Sequence, residues 1–276
     1  MIPSQYDPSW VEGYFDEFAD QEWDRLVKTP GREVQLAVHN NVLRRYIKPG
    51  DKVLEIGAGA GRFTQTLTQI GGQTTVTDIS QVQLDLNKAN SERHGFGHGV
   101  AEWRKLDLCD MSIYDDKTFD AVVCIGGPLS YVLDKRDIAL RECLRVTKVG
   151  GIMIFGVMSL WGTVHQYLEG VLGYSPEENA KIIDTGDLTQ ANTQLASHFC
   201  HMFRSTELRE FLEGHGVAVE FMSASSGLSA VYGEQLSAIR KDATKWNELL
   251  RMEIQACQEP GYLDAGTHLI AVGRVP

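Results

Sequence analysis

Residues Val53-Leu54-Glu55-Ile56 form a short apolar run holding one acid. Glycines then take every second position, Gly57, Gly59 and Gly61, ahead of a helix-like run from Phe63 through Leu67. A strand that passes into a helix through bare backbone has few architectures open to it. Such a turn belongs at the carboxyl edge of an open α/β sheet, where a ligand lies directly on backbone that carries no side chains. The spacing narrows the ligand. A dinucleotide loop reads G-x-G-x-x-G, whereas this run is E-x-G-x-G-x-G, with its third glycine one residue early. That argues against a nicotinamide-dependent oxidoreductase.

Strand and helix patterns alternate from Lys52 to Ser159. Strands are expected at Val53–Ile56, Thr75–Asp78, Glu102–Leu106, Ala121–Ile125 and Gly151–Val157, with helices at Phe63–Ile70, Gln81–His94 and Asp134–Val146. This alternation predicts a parallel sheet with helices on both faces and ligands at the carboxyl ends of its strands. Acids stand at that edge: Glu55, then Asp78 at the end of the second strand, and Asp107 after the third, with Asp110 close by. An acid at the tip of the second strand is placed to accept ribose hydroxyls. Asp78 also suits a helix cap.

The glycine run, Thr75–Ser80, Trp103–Leu108, Phe119–Gly127 and Arg145–Ile154 together resemble the ordered landmarks of the class I S-adenosylmethionine-dependent methyltransferases. The resemblance implies an α/β fold: a doubly wound, mostly parallel, seven-stranded Rossmann-like sheet whose last strand is antiparallel, with helical cap insertions. It implies S-adenosylmethionine as cofactor. Glu55, Gly57, Ala58, Gly59 and Gly61 would form its loop, Asp78 and Ile79 would meet the ribose, Asp107 and Leu108 the adenine, and Ile125 the methyl-transfer region. Tyr14 would fold over the bound cofactor. The implied organisation is an N-terminal helical cap (1–49), a core (50–159 and 206–276, with a helical insertion at about 230–258) and a helical lid (160–205). The added helices are expected to cover the cofactor's open side.

The acceptor is less legible. Tyr131 lines the pocket or packs a helix start. In His198-Phe199-Cys200-His201-Met202-Phe203-Arg204, at least one of His198, His201 and Arg204 is expected to face the pocket. His201 or His198 is the candidate base, because neutral imidazole is available near pH 7, and Arg204 the candidate substrate contact. The strand end Cys124-Ile125-Gly126 lacks an acid, so no metal is expected. The formal charge of -11 and the lack of a basic stripe argue against nucleic acid. No apolar run approaches a membrane span. The five scattered cysteines suit reduced, buried thiols in the cytoplasm. A small-molecule methyl acceptor is the expected partner. A protein or RNA substrate, a cofactor-binding protein without catalysis, and a homodimer remain open.

Overall fold

The computed structural model describes residues 3–18, 21–193 and 198–276. Among the described residues, three helices precede the sheet: α1 (Pro8–Phe18), α2 (Gln21–Arg25) and α3 (Pro30–Tyr46). Thr29 is the N-cap and Pro30 opens α3, at a position where the missing N–H has no intrahelical partner to lose.

The core then runs β1 (Lys52–Ile56), α4 (Arg62–Ile70), β2 (Gln73–Asp78), α5 (Gln81–His94), β3 (Val100–Lys105), β4 (Phe119–Cys124), α6 (Pro128–Tyr131), α7 (Arg136–Val146) and β5 (Thr147–Met158). There follow α8 (Leu160–Gln166), α9 (Leu168–Val171), α10 (Pro176–Thr185), β6 (Asp187–Leu188) and β7 (Cys200–His201). The chain ends with α11 (Ser205–Gly214), β8 (Ala218–Ala224), α12 (Gln235–Arg240), α13 (Ala243–Ala256) and β9 (His268–Arg274).

The main sheet has seven strands in the order β3-β2-β1-β4-β5-β9-β8. β1 to β5 pair in parallel, and β9 is antiparallel to both of its neighbours. This is the expected doubly wound architecture. Its buried strands alternate in the two-residue period of a pleated sheet. Leu54, Val122 and Met153 sink into one face, and Val53, Val123 and Ile154 into the other. Burying each such side chain contributes roughly 1.5–3 kcal/mol. Strand order reverses between β1 and β4, so the ligand crevice opens beyond their carboxyl ends.

Two expectations fail. Residues 160–205 are not purely helical, because β6 and β7 pair as a two-stranded antiparallel ribbon. The helices α12 and α13 do not cover the cofactor side; they pack on α3, with Leu236 against Gly31. Glu253 of α13 anchors that arrangement, accepting hydrogen bonds from the Gly227 and Ser229 amides.

Candidate functional site

A cavity of about 550 Å³ lies beyond the carboxyl ends of β1, β2 and β4. Its floor is the glycine loop, with Gly57, Ala58 and Gly59 in the wall. Gly57 has a φ of +67°, and a Cβ there would stand 2.4 Å from Pro128 Cγ. Asp78 holds the loop in place: its Oδ2 accepts the Gly59 N–H at 2.8 Å and its Oδ1 the Ser80 N–H at 2.9 Å. Each oxygen keeps a further lone pair, and the carboxylate lines the cavity beside Ile79. Burial pushes Asp78 up to about 6, although those two amides pull it down.

Gln83 stands next to it. Its Nε2 donates to the Phe15 carbonyl at 2.9 Å, while its buried Oε1 has no hydrogen-bond partner and the residue lines the cavity. An orphaned acceptor beside a carboxylate and bare backbone fits a polyhydroxylated adenosyl group. Asp78, Gln83 and the loop would hold S-adenosylmethionine there.

Glu55 and Gly61 lie behind this surface and not in the cavity wall. Glu55 is buried and accepts the Thr64 hydroxyl at 2.7 Å; burial pushes it up to about 8. Gly61 caps α4 at φ +100°, and a Cβ there would lie 3.0 Å from Asn87. Both shape the loop from beneath, which corrects the expectation of direct contact. Asp107 is likewise absent from the wall. One of its oxygens is held by the Tyr6 hydroxyl at 2.7 Å and the Cys109 amide at 2.8 Å, while Tyr6 and Leu108 form the surface there.

The N-terminal helices roof this end. Tyr14, Phe15 and Phe18 of α1 line the cavity, and Ser80 ties α5 to Asp16 at 2.5 Å. From α2, Glu22 lies over Gly59 and pairs bidentately with Arg25, both contacts at 2.7 Å.

At the other end, Ile125, Gly126, Tyr131 and Met158 meet His198. His198 stands between two tyrosines: Nδ1 is 2.8 Å from the Tyr14 hydroxyl and Nε2 is 3.1 Å from that of Tyr131. Burial pushes the imidazole down to about 4, so it is neutral at physiological pH, donating through one nitrogen and accepting through the other. Burial also raises both phenols.

His201 and Arg204 are corrections. His201 faces away from the cavity, with both ring nitrogens at 2.7 Å from carboxylates, Asp187 on one side and Glu207 on the other. Burial alone would lower it; the two hydrogen bonds outweigh burial and raise it. Neither nitrogen is free to act as a base. Arg204 donates to the Ile183 carbonyl and lies 5.9 Å from the Trp161 ring centroid, outside the cavity wall. In an extended segment neighbouring side chains point to opposite faces. Cys200 and Met202 reach the cavity, which turns His201 outward.

Tyr6, Glu22, Arg25, Arg32, Gln83, Thr163 and His268 also line the cavity and carried no sequence signal. They come from elements whose packing, not their local spacing, brings them together.

The Methyltransferase domain family matches residues 54–155. A mouse (Mus musculus) eEF1A lysine and N-terminal methyltransferase is 30% identical over 56% of this chain, and the match spans 22% of that protein. A ubiquinone biosynthesis O-methyltransferase of Hahella chejuensis is 23% identical, covering 75% of this chain and 90% of the relative. Among solved structures, the [4+2]-cyclase SpnF overlays with a TM-score of 0.59 at 18% identity, covering 99% of this chain and 98% of that one. Residues 54–155 thus match a methyltransferase domain, and the fold around them is shared with S-adenosylmethionine-dependent methyltransferases of known structure, which supports methyl transfer with S-adenosylmethionine as the cofactor.

Proposed function

We propose that this chain transfers a methyl group from S-adenosylmethionine to an oxygen, nitrogen or carbon nucleophile of a small molecule. The observation that carries the reading is the cavity itself. Loop, Asp78 and Gln83 occupy one end, and a buried Tyr14–His198–Tyr131 chain the other, beneath α1 and α8–α10. Bound S-adenosylmethionine supplies an already activated methyl group. The chain's residues orient the acceptor, exclude water and remove a proton. An acceptor O–H or N–H grows strongly acidic as its new bond forms. It can pass its proton to Tyr131 Oη as Tyr131 hands its own to His198 Nε2. Burial keeps His198 unprotonated over most of the pH range but makes it a weak base, so the proton moves to it only as the acceptor grows strongly acidic in the transition state.

The relatives' names point to both a quinone precursor and a protein as acceptors. A roofed, largely apolar cavity of this size favours a small molecule. The test is transfer of labelled methyl to a panel of hydroxylated and amino metabolites by wild type, His198→Ala and Tyr131→Phe. Loss of roughly 10²–10⁴-fold in turnover with unchanged S-adenosylhomocysteine affinity is expected for His198→Ala, with a smaller loss for Tyr131→Phe. Undiminished turnover in both variants overturns the assignment.

A further inference from the structure

The cavity's charged groups are nearly all matched. Glu22 pairs with Arg25, Arg62 bonds the Trp23 carbonyl, and Asp78 holds backbone amides. Arg32 differs. It lines the cavity, its guanidinium donates from Nη1 to Gln35 Oε1 at 2.9 Å, and among the described residues no carboxylate lies within 4.0 Å of that guanidinium.

The surrounding contacts fix where this cation sits. Gln35 donates onward to Thr267 Oγ1 at 3.3 Å, so Arg32 is tied to the start of β9. The register Met158↔His268 places that point beside the end of β5. Asp78 stands on β2, four strand intervals away, or about 19 Å at ordinary strand spacing. Arg32 therefore belongs to the end of the cavity far from the ribose acid. A second observation points to the same place. Gly162 of α8 packs directly on Gly266, where a Cβ would fall 1.7 Å from the carbonyl oxygen. That contact, with the Ser159 amide bonded to the Thr267 carbonyl at 2.9 Å, holds the start of α8 against Thr267, and Thr163 follows Gly162 in that helix. The Thr163 hydroxyl is buried, has no hydrogen-bond partner, and belongs to a residue of the cavity wall.

We propose that Arg32, assisted by the Thr163 hydroxyl, receives an anionic group, carboxylate or phosphate, on the methyl acceptor. The acceptor is then a small organic anion with an apolar body: the anion sits at Arg32 and Thr163, and the body lies against Met158, Val164 and Tyr167. A planar fork of donors suits either anion. His268, which shares this wall, is held neutral by burial and by the neighbouring cations, so it adds no competing charge. The inference rests on the methyl-transfer reading of the same cavity.

The test is calorimetric titration of the S-adenosylhomocysteine-saturated protein with phenylacetate, phenyl phosphate and the neutral phenylacetamide. At least one anion is expected to bind about tenfold or more tightly than the amide, and which one does so tells carboxylate from phosphate. Arg32→Met is expected to erase that preference and leave S-adenosylhomocysteine affinity unchanged. Thr163→Val, a near-isosteric change, is expected to weaken the anion about threefold or more. Equal binding of amide and anions overturns the proposal without involving any variant. So does a fall in S-adenosylhomocysteine affinity in Arg32→Met with anion binding intact, since Arg32 then serves the cofactor's own carboxylate. Should wild type bind no S-adenosylhomocysteine, the methyl-transfer reading fails, and the same titration on the unliganded protein still decides whether Arg32 binds anions.

Discussion

Replacing Asp78 by alanine separates binding from folding. Two ribose hydroxyls donating to a carboxylate contribute about 1.5–3 kcal/mol each. The combined loss of about 3–6 kcal/mol corresponds to a roughly 10²–10⁴-fold weaker affinity. Stability is expected to change far less, because two effects oppose. The Gly59 and Ser80 amides lose their acceptor, at about 1–3 kcal/mol each. Against that, burying the charge raises the folded pKa from 3.8 to about 6, which costs about 3 kcal/mol at neutral pH. The sign of the pH dependence follows. Between about 4 and 6 the unfolded chain has released the proton and the folded one retains it, so stability from this group declines as pH rises through that window. The alanine variant lacks that slope. Calorimetry with S-adenosylhomocysteine at pH 7.5, paired with thermal melts from pH 4 to 8, measures both quantities. An affinity loss below about tenfold, or a variant that unfolds before it loses the ligand, refutes the reasoning.

Glu55 is protonated more readily when folded, at about 8 against 4.5, so wild-type stability is expected to fall as pH rises across that interval. Glu55→Gln keeps an acceptor for Thr64 and removes the ionisation; its melting temperature should exceed wild type by an amount that grows from pH 5 to 9. Gly57→Ala forces a side chain into φ +67° and against Pro128. A loss of about 2 kcal/mol or more in urea unfolding is expected, together with weakened S-adenosylhomocysteine binding. His201→Ala removes a buried bridge between two carboxylates, and a loss of about 2–4 kcal/mol is expected with ligand affinity intact. His201 is raised in the fold. The charge-linked part of its contribution is therefore full below pH 6.5 and is lost as pH climbs past the folded value, so the gap between wild type and variant should narrow at high pH.

The sheet was legible because its signals are local. β1 and β4 are apolar runs that lead into glycine, β2 is a β-branched run of threonines around Val76 that ends in Asp78, and α5 begins behind a Ser80 cap whose oxygen accepts the Gln83 amide at 3.0 Å. The cofactor floor followed from the same segments. Glu55 misled because its position in the glycine pattern is fixed while its side-chain direction is not; the pleat turns it under the loop toward Thr64. His198 and His201 are three residues apart and chemically alike, and only the β6–β7 pairing decides which one meets the cavity. Arg32, Gln83 and Thr163 escaped notice for a related reason. Each is an ordinary polar residue on a helix, and its role arises from contacts such as Gly162 on Gly266 that no local spacing encodes.

A crystal structure of the S-adenosylhomocysteine complex tests the central claim most directly. The account predicts ribose hydroxyls within hydrogen-bonding distance of the Asp78 carboxylate and Gln83 Oε1, with the sulfur turned toward Tyr131 and His198. Ligand density elsewhere, or a ribose that leaves both Asp78 and Gln83 without a bond, contradicts it.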